Sequence, residues 1–246
     1  MKKDFGIIPS SKTLVRCIFC GVHLPKANRC IEQHTNGAKH KENLMLMREN
    51  AIYLLNEDLY CKPCNRIVND NFSVPGHVET ESHSNWKVAI EDLTEGEFIK
   101  LEPYLSSERD DVHCEVCNLD IDSNLHIIEK HVNSTKHRNN VVERLKPLNG
   151  LFPVENDDEV FCKICNMYID NTTRAVLEHI DDDEEHVAWL TEIEDLIEGH
   201  DVSIEHYLAN DFEVNAYCKK CKMDIICDVE NIESHVHSED HLNKFI

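Results

Sequence analysis

No run of apolar residues in this 246-residue chain is long enough to cross a membrane, and its first stretch, MKKDFGIIPSSKTLVR, holds none of the length that a secretory signal needs. The chain is therefore expected to be soluble and intracellular. Basic charge is also scarce. Lys and Arg total 25 against 47 Asp and Glu, a formal net charge of −22 that, for the protein as a whole, opposes binding to a polyanion. Glycine and phenylalanine are few, at 7 and 8, whereas cysteine and histidine reach 12 and 16. In a reducing compartment so many thiols are not expected to form structural disulfides, which leaves metal binding as their leading use.

Ten of the twelve cysteines fall into C-x-x-C pairs: Cys17/Cys20, Cys61/Cys64, Cys114/Cys117, Cys162/Cys165 and Cys218/Cys221. Histidines follow in step as His34/His40, His77/His83, His131/His137, His179/His186 and His235/His241. Thirteen residues separate the second Cys from the first His in four copies and twelve in the second copy. Five residues lie between the histidines in four copies and six in the fourth. In the fifth copy His237 stands four positions before His241 and offers an H-x₃-H alternative, while the register of the other copies favours His235.

Two thiolates and two imidazoles make a closed tetrahedral donor set suited to a structural zinc ion, which predicts five ions per chain. Such a set keeps no open position for a substrate or an activated water, so metal-ion catalysis, and enzymatic activity with it, is not expected. Cys30 and Cys227 lie outside the ligand register and read as small buried or half-buried thiols. His23, His113, His126, His200 and His206 occupy no repeated position and read as ordinary surface or boundary histidines.

Aliphatic residues recur four positions after each second Cys (Leu24, Val68, Ile121, Ile169, Ile225) and three before each first His (Ile31, Val74, Ile128, Val176, Ile232). One apolar residue on a strand then faces one on a helix beside the metal, as a ββα finger requires. The fold class is thus five small zinc-stabilised ββα fingers in tandem, joined by partly helical linkers, with no single large core. Their expected bounds are 14–46, 58–92, 111–146, 159–197 and 215–246. A unit of this size buries too little surface to fold unaided, and structural zinc supplies roughly 10 to 16 kcal/mol of apparent binding energy.

An offset of six positions between the histidines turns about 600° on a regular helix, so the helix must distort or end between them. The segments HTNGAKH and HVNSTKH place poor helix formers there. With this spacing the sequence resembles the matrin-type zinc fingers, a group that includes the finger of the spliceosomal C protein and those of double-stranded-RNA-binding zinc-finger proteins. The resemblance extends over all five copies, although the fourth departs from it with HIDDDEEH between its ligands. It implies that the helix and its flanks contact phosphates and sugars of duplex or otherwise structured RNA. The matching positions are Lys26, Arg29, Lys39 and Lys41 in the first finger, and Lys130, Lys136 and Arg138 in the third. A nuclear location is implied by the same resemblance.

The linkers between fingers hold 20, 30, 24 and 31 residues, too long for contiguous reading of a DNA groove. Those after the second and fourth fingers match, each with a Trp (Trp86, Trp189), then EDL, then a Gly (Gly96, Gly199) placed to stop a helix. A two-finger unit, 57–145 and again 156–246, therefore reads as duplicated. At helical spacing with Ile90 and Leu93, or with Ile193 and Leu196, each Trp is expected to pack rather than to stack on a base. Charge is graded along the chain, from +5 over residues 1–50 to −15 over residues 151–210. Nucleic acid, most of all RNA, is accordingly expected to meet the first finger and, with it, the third, while the acidic fingers meet a protein partner. The alternative is a protein-interaction adaptor with no nucleic-acid ligand.

Overall fold

The computed structural model describes residues 6–68, 74–106, 110–154 and 158–245. In the first finger three strands, β1 (Ile7–Pro9), β2 (Leu14–Cys17) and β3 (Val22–Pro25), precede two helices, α1 (Asn28–Asn36) and α2 (Ala38–Glu49). The second repeats this order with β4 (Ile52–Leu55), β5 (Asp58–Cys61), β6 (Arg66–Ile67), α3 (Val74–Val78) and α4 (Glu81–Thr94). In the third, a short helix α5 (Glu102–Ser106) separates β7 (Ile99–Lys100) from β8 (Asp111–Cys114) and β9 (Leu119–Asp122), with α6 (Leu125–Val132) and α7 (Thr135–Asn149) following. The fourth holds β10 (Leu151–Pro153), β11 (Glu159–Cys162), β12 (Met167–Asp170), α8 (Thr173–Asp182) and α9 (Glu184–Ile197). The fifth holds β13 (Val202–Ser203), α10 (Glu205–Ala209), β14 (Asn215–Cys218), β15 (Met223–Ile226), α11 (Val229–Val236) and α12 (Glu239–Leu242).

Five small units thus stand where five were expected, and each adds two features to the ββα plan. A third strand pairs antiparallel with the strand that carries the first cysteine, making a three-stranded sheet. The helix is also broken in two between the histidines. Alternation puts Val15, Leu59, Val112, Val160 and Ala216 on the inner face of each sheet. Opposite them lie Leu24, Ile121, Ile169 and Ile225 across the hairpin, while Val68 donates its N–H to Leu59 O. The helical positions Val74, Ile128, Val176 and Ile232 are fully buried against this face.

A left-handed residue follows each second cysteine: Gly21, Asn65, Asn118, Asn166 and Lys222 have φ between 46° and 69°. Gly and Asn suit that conformation, and Lys222 adopts it at a steric cost. A second left-handed residue precedes the first strand of each sheet, namely Gly6, Ala51, Phe98, Gly150 and Asp201. At four of these the carbonyl accepts from the residue after the first cysteine: Ile18 N to Gly6 O, Lys62 N to Ala51 O, Lys163 N to Gly150 O and Lys219 N to Asp201 O.

The chain divides into two compact units, Met1–Glu95 with Ile99–Glu129 and Gly96–Phe98 with Lys130–Ile246. Within the first, Ile7, Val15, Phe19 and Met47 share one buried cluster with Ile52, Leu59, Val68 and Val74 of the second finger. Within the second, Val142 of α7 joins Leu151 and Val160 of the fourth finger, and Ile193 of α9 joins Val202, Ile225 and Ile232 of the fifth. The linkers are therefore ordered: the second helix of a finger runs on to pack against the next one.

The duplication is legible in these connections. Lys62 donates to Tyr104 O at 2.6 Å, and its ammonium lies 4.6 Å from the Tyr104 ring. Lys163, its counterpart, donates to Tyr207 O at 2.6 Å, to Asn210 O at 2.7 Å and to Glu213 O, with the Tyr207 ring 3.9 Å away. Trp86 and Trp189 are half-buried and pack on the same two tyrosines, with ring centroids 6.0 and 5.7 Å apart. Gly96 and Gly199 end their helices at φ of 72° and 74°.

Replacing Lys163 with Met removes the donor to three carbonyls that fix the segment leading into β14. Leaving such acceptors without a partner costs about 1 to 3 kcal/mol. Amide hydrogen exchange over residues 207–214 is expected to speed up while all five metal ions stay bound, because Lys163 is not a ligand. Unchanged exchange there would show that the segment holds its shape without the lysine.

Candidate metal centres

Five groups of four side chains converge: Cys17, Cys20, His34 and His40; Cys61, Cys64, His77 and His83; Cys114, Cys117, His131 and His137; Cys162, Cys165, His179 and His186; and Cys218, Cys221, His235 and His241. In every group the donor atoms lie within 4.8 Å of one another. The fifth is closed by His235. His237 is exposed and its Nδ1 is turned to Glu233 O at 3.0 Å.

The broken helix explains how the spacing works. In four fingers an N–H three residues after the first histidine closes a tight turn onto its carbonyl: Gly37 to His34, Thr80 to His77, Ser134 to His131 and Ser238 to His235, at 3.0 to 3.1 Å. A second helix then starts, with its own histidine in the first turn. Ser134 Oγ and Ser238 Oγ accept from His137 N and His241 N at 3.3 and 3.2 Å, capping that start. The fourth finger absorbs its additional residue by one more helical position: Asp183 N bonds His179 O at 3.3 Å, and Asp183 Oδ1 caps Glu185 N and His186 N. Its ring centroids end 4.8 Å apart, as do those of the third and fifth fingers.

The two histidines use different ring nitrogens. His34, His131 and His235 present Nε2 to the Nδ1 of His40, His137 and His241 at 3.3, 3.0 and 3.1 Å. Nδ1 of the second histidine also lies 3.4 to 3.8 Å from the paired sulfurs in the first, second, fourth and fifth fingers. Tetrahedral zinc, with bonds of about 2.3 Å to sulfur and 2.0–2.1 Å to nitrogen, requires separations of about 3.5 Å between sulfur and nitrogen and about 3.3 Å between nitrogens. The donor sets fit. The buried Nε2 atoms of His77 and His179 have no hydrogen-bond partner in the protein, which leaves them open to a metal ion; His40 Nε2, on the far side of its ring, also has none.

Behind the ligands lies a layer that no sequence pattern announced. The nitrogen of the second histidine that faces away from the metal meets Asn50 Oδ1 at His83 (3.1 Å), Glu97 Oε2 at His137 (2.9 Å) and His200 Nδ1 at His241 (3.3 Å). Each of these partners stands immediately before the left-handed residue that opens the sheet. Such groups fix the tautomer and the ring orientation of a metal ligand. His200 is thus no ordinary surface histidine but a support for the fifth centre. At the same position in the fourth finger Asn149 turns to Leu145 O, and His186 Nε2 is left without a protein partner.

Electrostatics tie these sites to a cation. Burial pushes the thiols of Cys61, Cys114 and Cys165 up to about 12, 11 and 12, whereas hydrogen bonding from Cys17 brings Cys20 down to about 5, with Asn43 Nδ2 also donating to its sulfur at 3.3 Å. Burial also lowers His77, His131, His235 and His241, and holds His83 and His186 at about 4. Neutral imidazole is the ligand form. Paired thiolates, by contrast, need a compensating positive charge to exist where they are buried. A divalent ion supplies it, and five zinc ions are what the five donor sets hold.

The basic positions are placed differently from one another. Lys26, Arg29, Lys39 and Lys41 are exposed on the first finger, Lys39 within 3.7 Å of Glu42. Lys130 and Lys136 are exposed on the third. Arg138 is not: its side chain is 18% exposed and donates to Asn171 O at 2.9 Å. Cys30 is half-buried and Cys227 buried, and neither joins a metal group. No helix among the described residues is long and apolar enough to cross a membrane.

Native mass spectrometry should count five zinc ions, and five again after Cys30→Ser with Cys227→Ser. Cys117→Ser should lose the third ion and open that finger while the other four ions stay bound, because one missing thiolate forfeits much of the binding energy. Equal losses in the two experiments would contradict the ligand assignment. The pH dependence follows from the same groups. Between about pH 6.5 and 8.5 releasing one ion takes up two protons, on thiols with an unfolded pKa of about 8.5; below that window the freed imidazoles bind protons too, because the metal no longer holds their lone pairs and a free imidazole titrates at about 6.5. As pH is lowered, zinc affinity should therefore fall about a hundredfold per unit down to pH 6.5 and steepen toward ten-thousandfold per unit below it, as read by competition with a chromogenic chelator.

The donor geometry carries the metal assignment by itself, because no protein-family model, curated protein or solved structure matches this chain.

Proposed function

We propose that this is a non-enzymatic five-zinc protein of the matrin-finger type that binds structured or double-stranded RNA through its first finger, with its acidic half engaging proteins. The observation that carries the reading is the division of charge: four exposed cations stand on the first finger, in a segment of net +5, whereas residues 151–210 hold two basic and seventeen acidic groups. The family resemblance in the histidine spacing supports RNA as the polyanion, recognised by shape and backbone rather than by base sequence. Lys130 and Lys136 of the third finger belong to the same surface class. Arg138, spent on a backbone carbonyl, does not. A nuclear location is part of this proposal and rests on the resemblance alone.

A protein adaptor without nucleic acid is the competing reading, favoured by the net charge of −22. The two separate in a binding assay with duplex RNA at several salt concentrations. Lys39→Glu with Lys41→Glu should weaken binding and flatten its salt dependence, by up to roughly 0.9 log units for each phosphate no longer neutralised, without releasing zinc. Replacing Asp181, Asp182, Glu184 and Glu185 with neutral amides should tighten it, because those carboxylates repel the phosphate backbone. Absence of RNA binding at low salt in both the parent and the neutralised chain would establish the adaptor.

A further inference from the structure

We propose that the outer face of the fourth finger's sheet is a docking surface for an extended, arginine-bearing segment of a partner protein. This rests on the reading that the acidic half engages proteins, and it names where and with what chemistry.

In each finger the inner sheet face is taken by the core, and the outer face carries a ladder of cross-strand neighbours. In the first finger these are Ile8, Arg16 and His23; in the third Lys100, His113 and Asp120; in the fifth Ser203, Tyr217 and Asp224. The fourth presents Phe152, Phe161 and Tyr168. Phe152 is buried, with the Lys146 ammonium 4.8 Å from its ring. Phe161 and Tyr168 are tilted against each other at 5.3 Å, and Tyr168 is 60% exposed. One step further along the same face Glu159 and Asp170 are direct cross-strand partners. Among the described residues no other finger sets an aromatic pair beside a carboxylate pair. The second has the aromatic pair Tyr53 and Tyr60, but its third rung is Ile67 and the neighbouring Lys62 lies 5.6 Å from the Tyr53 ring.

An exposed ring face attracts a guanidinium, and the exposed carboxylate of Asp170, two residues along the same strand face from Tyr168, can pair with it. The −15 charge of residues 151–210 draws a basic segment and repels an acidic one. β12 is the outer strand of its sheet, so an extended chain can lie along it and set alternate side chains on the Tyr168 face.

The test uses the zinc-loaded full chain and a short synthetic peptide alternating arginine and threonine, titrated calorimetrically at physiological salt. Tyr168→Ala and Asp170→Asn should each weaken binding roughly three- to tenfold, with Tyr168→Phe close to the parent and five zinc ions retained throughout. Glu194→Gln with Asp195→Asn removes more charge from the exposed side of α9 and should change affinity less than about twofold, since surface charge at a distance is screened. If that control weakens binding as much as the sheet variants do, the attraction is diffuse and the docking surface is overturned while the protein-engaging role of the acidic half stands. Absence of peptide binding even at low salt would overturn both.

Discussion

Two imidazoles on one short segment have to reach one metal ion, and the distance between them along the chain forbids a continuous helix. Six positions on a regular helix put the rings on different faces; seven return them to nearly one face but leave them about 10 Å apart along the axis. Either way the helix has to break, and every finger breaks it at one place, three residues before the second histidine. There the residue is Gly37, Thr80, Ser134, Asp183 or Ser238, each able to leave the helical conformation, and three of them cap the helix that starts anew. The fourth finger shows that the turn, rather than the residue count, is what the metal requires. It ends its first helix on a wider turn and brings His179 and His186 to the same separation.

The break also builds the array. Once the second helix has its own direction it leaves the metal site and supplies a wall to the next finger, as Met47, Val142 and Ile193 show. Zinc therefore positions more than the finger that binds it. Helices α2, α4 and α9 end one to three residues before Asn50, Glu97 and His200, which support the second histidine of the following centre. One finger's helix end and the next finger's ligand are thus parts of a single arrangement, and loss of metal from one centre weakens the wall of its neighbour.

The ligands were legible because the metal demands fixed residue types at nearly fixed separations, and the facing aliphatic pairs because burial demands them at strand and helix period. Gly96 and Gly199 announced their helix ends for a backbone reason, a positive φ that other residues resist. The third strand was not legible: Ile99–Lys100 and Val202–Ser203 are two residues long and cannot display an alternation. Asn50, Glu97 and His200 share a place but no chemistry beyond a polar atom of the right reach, and α5 and α10 shift their spacing from the next cysteine. The left-handed positions were hidden in part by Ala51, Phe98 and Asp201, where tertiary packing overrides local preference. A signal did exist for the other set, the Gly or Asn that follows four of the five C-x-x-C pairs.

What zinc fixes on the inside it leaves free on the outside. Each inner face must carry a small aliphatic side chain beside the first cysteine and another across the hairpin, or the metal site loses its backing. The outer face of the same strands meets none of these demands, and its residues differ in every finger, from Arg16 and His23 to Phe161 and Tyr168. Charge follows the same division: the exposed cations of the first finger and most carboxylates of the fourth lie on the outer surface, while Asp183 alone of the acidic run 181–185 turns to the ligands His179 and His186. A protein whose folding energy comes largely from five buried ions can carry opposite surface chemistry on successive copies of one scaffold. Basic and acidic ends are then compatible with one fold, because neither end relies on its surface to stay folded.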